Sequence, residues 1–283
     1  MTVKFDAVIN DTNRAVLNYS KSESFYPRKY NGGATVFSNN YYTKPPEIER
    51  QSVALYSAIT DRLSTKLKFS RYTMDENDNS IGDGLFPEVN IEIGGDNVYL
   101  GGDRYRGANH IMVDEDFLVF KADYDNDENV ITLGIEKAET SVYNLFIARY
   151  NGEIHFDSIA DFEAGTWSYL RFHTPIAGND QVGTAAADFE IEKDTMYIQN
   201  KWYASDDLTV TFGFRYDKVL TPTQPHLNPK FLERNGIGNN QRFDFDLIQP
   251  RFSFNYDATT PVSYTHLRAH ETEADLVCRL LLE

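Results

Sequence analysis

"LTVTFGFRYD", residues 208–217, decides how this chain folds. Leu208, Val210, Phe212, Phe214 and Tyr216 occupy one set of alternate positions, and Thr209, Thr211, Gly213, Arg215 and Asp217 occupy the other. Side chains on a β-strand alternate between faces, so this segment has one wholly apolar face and one polar face, whereas a helix would scatter both sets around its axis.

The same pattern recurs along the chain. Leu63, Leu67 and Phe69 oppose Ser64, Lys66, Lys68 and Ser70; Ile131, Leu133 and Ile135 oppose Thr132, Gly134 and Glu136; Phe252, Phe254 and Tyr256 alternate with Arg251, Ser253, Asn255 and Asp257. Such strands suit a sandwich with one wet face, or a barrel with lipid outside and a polar lumen.

The connections choose between them. Strands near 48–59 and 63–74 are joined by "TDR", those near 115–124 and 129–139 by "DNDEN", and those near 189–203 and 208–218 by "SDD". Between these pairs lie long stretches at about 21–47, 75–114, 140–188 and 219–242, rich in Gly, Asn, Asp and Pro. A membrane barrel builds in this alternation, with short periplasmic turns and long extracellular loops, and a sandwich has no reason for it. Counting from "VKFDAVIN" and "AVLNYS" gives about nine membrane strands of roughly 9–12 residues. The expected fold is all-β: a partial, open antiparallel transmembrane β-barrel over residues 1–260. Nine is odd, whereas bacterial single-chain barrels have even strand numbers, so the chain reads as a fragment.

Composition agrees. Of 283 residues, 18 are Tyr, 19 Phe and only four Met, which favours strands over helices. The mean hydropathy of −0.49 excludes a helical membrane protein but not a barrel, whose apolar residues alternate with polar ones. A net charge of −16 argues against a nucleic-acid partner, which requires a basic face. "MTVKFDAVIN" has no basic head and apolar run, so a signal peptide is expected upstream of Met1.

Residues 261–283, "PVSYTHLRAHETEADLVCRLLLE", break the alternation. They resemble a translated sequencing adapter: one frame of a common transposase adapter encodes "VSYTHLRAHET", and the flow-cell end of the same oligonucleotide encodes "LVCRLLLE". The competing reading is an amphipathic helix through Leu276, Leu280 and Leu281. An adapter origin removes Cys278, His266 and His270 from any functional role, leaves a charge of −14, and implies a gene continuing past Thr260.

Within 140–188, Asn151-Gly152 lies between apolar runs and predicts a short hairpin, and "SIADFEAG" predicts one helical turn with Ser158 as cap and Gly165 as stop.

The runs "VYNLFIARYNGEIHFDSIADFEAGT" (142–166), "YIQNKWYASDDLTVTFGFRYD" (197–217) and "FDLIQPRFSFNYD" (245–257) resemble the middle and later barrel of TonB-dependent outer-membrane receptors, particularly the Oar-like group. The second run resembles their Trp-ended strand, tight turn and "LTLTxGLRYD"; the third resembles "LQPRxGFxYD". With the strand arrangement, the resemblance covers about residues 115–257. It implies an outer-membrane barrel of about 22 strands with an N-terminal plug. Such a barrel takes up a scarce nutrient, of siderophore, vitamin, oligosaccharide or peptide class, with energy from the TonB-ExbB-ExbD complex. Here the chain departs from the family pattern: a TonB box, a plug and a closing aromatic strand are not in it, and coupling to TonB would use the missing N-terminal region. The alternatives are a passive porin-like barrel and a soluble secreted β-sandwich binding module.

Lys66, Lys68, Arg215, Asp217 and Arg251 are expected to face the lumen, where they contact the plug, line the solute path or are simply solvated. Trp202, Tyr203, Tyr216 and Tyr256 are expected in the interfacial aromatic girdle, against outer-membrane lipid. Asp123, Asp125 and Asp127 have the alternate spacing of a calcium loop, but Glu128 stands where the turn-forming Gly belongs and Gly134 where the bidentate Glu belongs, so a polar turn explains them better. "DENDNSIGDG" (75–84) has a similar defect at Ser80. His110, His155 and His173 are too scattered for a zinc site, and no nucleophile elbow or triad appears, so neither a catalytic residue nor a cofactor is expected.

Overall fold

The computed structural model describes residues 1–25, 27–29, 34–82, 85–175 and 182–258. The expected adapter-derived segment lies outside the described residues.

In chain order the strands are β1 (Thr2–Asn10), β2 (Asn13–Glu23), β3 (Pro27–Arg28), β4 (Thr35–Val36), β5 (Tyr42–Thr43), β6 (Glu47–Thr60), β7 (Leu63–Asn77), β8 (Asn79–Ser80) and β9 (Glu88–Ile93). They continue with β10 (Asp96–Gly101), β11 (Asn109–Asp125), β12 (Asn129–Phe146), β13 (Glu153–Phe156), β14 (Tyr169–Arg171), β15 (Ala187–Ser205), β16 (Leu208–Leu220) and β17 (Asp244–Tyr256). Nine of them form one antiparallel sheet in the order β1-β2-β6-β7-β11-β12-β15-β16-β17. Each pairs with the next long strand along the chain, so the sheet is a meander with no crossover.

Residues 11–12, 61–62, 126–128 and 206–207 make the turns at one end, and every long connection leaves from the other. The expected asymmetry is present, with several strands running further toward the long loops than the alternation alone indicated.

The two faces differ as the sequence pattern requires. On one, Phe5 and Leu17 on β1 and β2, Val53 on β6, Phe69 on β7 and Leu118 on β11 are successive cross-strand neighbours. The next positions in that row are Lys137, Asp194 and Lys218. One row nearer the short turns, Leu55, Leu67, Phe120, Ile135, Met196 and Tyr216 follow one another without a charge. At the lower edge the step repeats: Ser57, Thr65 and Ala122 lead on to Leu133, Ile198 and Phe214. The apolar band therefore shifts by one hydrogen-bonded row across the sheet. A band level with a membrane must do this when the strands are tilted, because the rows run perpendicular to the strands and the membrane plane does not.

From Leu208 to Tyr216 the band spans eight residue steps, about 27 Å along the strand and roughly 20 Å once tilt is taken out, close to the apolar height of an outer-membrane barrel. The side chains of this band are exposed, Phe214 by 58% and Ile135 by 52%. The polar face is the more enclosed: Val16, Ala54, Thr195 and Asp217 on it are buried.

Above the long-loop end sits a second layer. β9 and β10 form a hairpin through Gly94 and Gly95, both at positive φ, and the five-stranded sheet runs β14-β13-β9-β10-β4. Its core is Val89, Ile91 and Phe156, with Leu100 and Ile154 packed against them. The stretch 75–114 is thus not irregular throughout, and "VNIEIGGDNVYLG" carried the signal: alternating runs flanking a two-residue Gly-Gly turn.

The hairpin expected at Asn151-Gly152 does not form. β12 continues to Phe146 in the large sheet, and β13 pairs in parallel with β9 and antiparallel with β14. A turn is present, with Arg149 and Gly152 both at positive φ and the Gly152 N–H bonded to the Arg149 carbonyl at 3.0 Å, but it redirects the chain into the outer layer. The expected helical turn is α1 (Ile159–Ala164): Ser158 Oγ accepts from the Asp161 N–H at 3.1 Å, and Gly165 ends it in the left-handed region. A second helix, α2 (Pro229–Asn235), caps on Asn228.

Candidate functional site

The pleat determines which side chains share the enclosed polar face. Lys66, Lys121, Gly134, Tyr197, Arg215 and Gln249 form one cross-strand row from β7 to β17. Lys68, Val119, Glu136, Thr195 and Asp217 form the next row, toward the long loops. Arg251 stands in the adjacent row opposite Gly213, toward the short turns. All five residues expected in the lumen therefore share one face and occupy three neighbouring rows.

Four strands build the densest part of this face. Arg215 Nε donates to Asp217 Oδ2 at 3.0 Å and Oδ1 at 3.2 Å, while its Nη2 reaches Glu136 Oε2 at 3.2 Å and Thr195 Oγ1 at 3.2 Å. Asp217 is saturated: the Thr195 hydroxyl donates to it, Gln249 Nε2 donates at 2.6 Å, and Lys193 Nζ lies 3.7 Å away. Burying a carboxylate is costly unless its lone pairs are used, and this one has four partners from three strands.

Tyr197 completes the cluster. Its ring lies across Gly134 on β12, where a Cβ would come within 2.0 Å of Cζ, and the Arg215 guanidinium carbon is 5.9 Å from the ring centroid. Glu136, Tyr197, Arg215 and Arg251 line one shallow recess. Glu136, Thr195, Tyr197 and Gln249 were not singled out in the sequence; strand alternation put them on the polar face, but only the register between strands shows that they meet Arg215.

The aromatic expectations divide. Trp202 registers with Val210, which registers with Phe254, on the apolar face near the short turns, and Tyr256 is on that face at the same end. Tyr216 lies on the apolar face at the other edge of the band, where the next row is Lys218 and Asp246. Tyr203 is a correction: one residue past Trp202, it falls on the polar face, with Lys201 Nζ 4.9 Å from its ring centroid.

The acidic turn does not gather its carboxylates. Asp123 accepts from Thr132 at 2.6 Å and pairs with Lys121 at 2.9 Å, Asp125 accepts from the Asp127 N–H at 2.9 Å, and Asp127 faces Arg62 at 3.4 Å. Among the described residues no cluster of His, Cys, Asp and Glu is arranged to hold a metal ion. His110 pairs with Asp75 at 2.7 Å, and His155 stacks on Tyr169.

The outer layer has its own buried network, which the sequence did not disclose. Glu88 and Glu153 stand opposite each other on the parallel pair β9 and β13. Arg104 bridges them, at 3.3 Å to Glu88 Oε1 and 2.8 Å to Glu153 Oε1, and Arg149 also pairs with Glu153. Asn40 Nδ2 donates to Glu88 Oε2 at 3.2 Å and to the Gly102 carbonyl at 3.0 Å. Burial pushes the Glu88 carboxyl above its ordinary range despite Arg104, and does the same to Asp103 and Asp78. The Glu88 and Glu153 carboxylates hold the Arg104 guanidinium more firmly protonated than usual, against the effect of burial. The network ties together the connections that carry Asn40, Arg104 and Arg149 and the strands β9 and β13.

Neither a protein-family model nor a curated protein sequence matches the chain. Solved structures do. The fold is similar to the outer membrane transporter YddB from Escherichia coli, with a TM-score of 0.59 and 12% identity over 90% of this chain and 29% of that one. It is similar to the copper transporter OprC at a TM-score of 0.54 and 11% identity, over 92% of this chain and 34% of that one. The FrpB iron transporter from Neisseria meningitidis (F5-1 variant, apoprotein form) matches at 0.51 and 14% identity, over 90% and 33%. The chain thus spans about a third of the length of the transporters it matches, as a section of barrel wall.

Proposed function

We propose that the nine-stranded sheet is part of the wall of an outer-membrane transporter of the TonB-dependent kind, with its apolar band in lipid and its polar face on the lumen. The observation that carries this reading is the shift of the exposed apolar band by one row across the sheet, which is geometry for a tilted wall in a membrane and has no purpose in a soluble sandwich. The short turns are periplasmic and the outer layer extracellular. The Arg215–Asp217–Glu136 cluster stiffens the lumen wall where a plug or a passing solute would meet it. In this reading the parent protein takes up a scarce nutrient using energy from TonB-ExbB-ExbD, and these residues bind and guide rather than catalyse.

The test is to express the parent protein and follow it to the outer-membrane detergent fraction, comparing its gel mobility unboiled and boiled. A heat-modifiable outer-membrane species is expected. A monomer soluble in buffer overturns the proposal.

A further inference from the structure

We infer that Lys66, Lys68 and Lys121 form an oxyanion-binding subsite on the polar face, taking the phosphate or carboxylate of a solute in the lumen. The inference rests on reading that face as the lumen wall.

Lys66 and Lys121 are direct cross-strand partners, and Lys68 is the next same-face residue on β7. Side chains so placed have Cβ atoms about 4.5–5.5 Å apart, and like charges there destabilise the sheet unless something compensates them. Of the other cations on this face, Arg14 pairs with Asp6, Arg215 with Glu136 and Asp217, and Lys193 with Asp217, whereas among the described residues Lys4, Arg50, Lys201 and Arg251 have no carboxylate within 4.0 Å; Lys121 pairs with Asp123 at 2.9 Å. Lys66 and Lys68 are both half-buried, and among the described residues neither has a carboxylate within 4.0 Å. The Lys66 ammonium instead lies 5.8 Å from the Tyr56 ring centroid. Three ammonium groups thus share one carboxylate on two adjacent strands, in a protein whose net charge is −16.

The surroundings suit an oxyanion. Lys66 and Lys121 line one recess together with Arg14, Asn13, Asp11 and Asp123, and Lys68 lines the neighbouring one with Arg50, Asn18, Ser52, Ser70 and Glu115, so in each recess the cations and hydrogen-bond donors outnumber the carboxylates. Among the described residues, unpaired cations also stand on β1, β6, β15 and β17, but Lys66 and Lys121 oppose each other directly with Lys68 one same-face step away, and this local density favours one compact anion over a broad acidic protein surface.

Lysine footprinting of the unaltered protein in detergent micelles, with an amine-acylating reagent and mass spectrometry, tests this without a variant. Inorganic phosphate and, separately, citrate should slow modification of Lys66, Lys68 and Lys121 several-fold and leave the exposed Lys4 and Lys230 unchanged. In titrations, K66Q/K68Q/K121Q should bind phosphate at least about tenfold more weakly, and K66R/K68R/K121R should retain binding. Unprotected lysines overturn the inference. So does protection by polyglutamate alone extending to Lys4, which would assign the face to an acidic polypeptide. The lumen reading is checked separately in a Cys278→Ser background: a charged maleimide should label Lys68→Cys and spare Phe69→Cys. The opposite labelling removes the lumen itself, whereas correct labelling without phosphate protection removes only the subsite.

Discussion

The ring of Tyr197 on β15 covers Gly134 on β12, its cross-strand partner, so closely that the position admits no side chain while the ring stays where it is. One row toward the turns, Gly213 meets a different obstacle: a Cβ there would stand 2.5 Å from the carbonyl oxygen of Ile198. A ring can swing aside and a strand backbone cannot. Gly134→Ala should therefore cost about 1 kcal/mol and Gly213→Ala about 2–3 kcal/mol, read from denaturant midpoints in micelles. Pairing Gly134→Ala with Tyr197→Ala should cost less than the sum of the two, because removing the ring makes the room the new methyl group needs.

Arg215→Ala removes the group that joins Asp217 to Glu136 across β15, leaving Glu136 without its ion pair and Asp217 with Thr195, Gln249 and Lys193. A cost of about 2–3 kcal/mol is expected, at the lower end for broken buried pairs because the guanidinium is partly exposed, and Arg215→Lys should recover part of it. Equal stability of Arg215→Ala and the unaltered protein would show that the cluster does not hold the wall together.

The two faces should respond oppositely to charge. Phe214→Arg, in the middle of the apolar band, should lose about 2–4 kcal/mol of stability in a bilayer, whereas Gln199→Arg on the polar face of the neighbouring strand should fold normally. Folding yields in liposomes measure both.

Trp202 sits at the turn end of the apolar band and Trp167 in the outer layer. With Trp167→Phe, brominated lipid should quench the remaining emission strongly; with Trp202→Phe it should quench little. Equal quenching would place the band elsewhere.

In the outer layer, burial raises the pKa of Glu88, Asp103 and Asp78 above their ordinary values of 4.5, 3.8 and 3.8. A carboxyl that holds its proton more tightly when folded gives stability that is complete below its unfolded pKa and is lost as pH rises through the folded one. Amide-exchange protection of β9 and β10 should therefore be highest in acid and fall as pH climbs through and above the ordinary carboxylate range. Asp103→Asn, which keeps the acceptor for the Tyr105 N–H, should flatten that profile.

The strands of the large sheet, their turns and the end from which the loops leave were all legible, because alternation is a local property of each segment and Asp-rich turns mark where it stops. The helical turn at Ser158 was equally local. The Asn151-Gly152 hairpin failed because a turn signal fixes the bend but not the partner, and β13 found a better one in β9, more than fifty residues earlier. Tyr203 failed because a one-residue step from Trp202 reverses the face.

What the sequence by itself determined is the two-faced wall: period-two alternation fixes which side chains can share a face before any strand has paired. What only the tertiary structure decided is which of them meet. The shift of the apolar band, the four-partnered Asp217, the ring over Gly134, and Arg104 between Glu88 and Glu153 all depend on register between strands distant in the chain. Register is set by the summed fit of whole strands, and no single segment carries it.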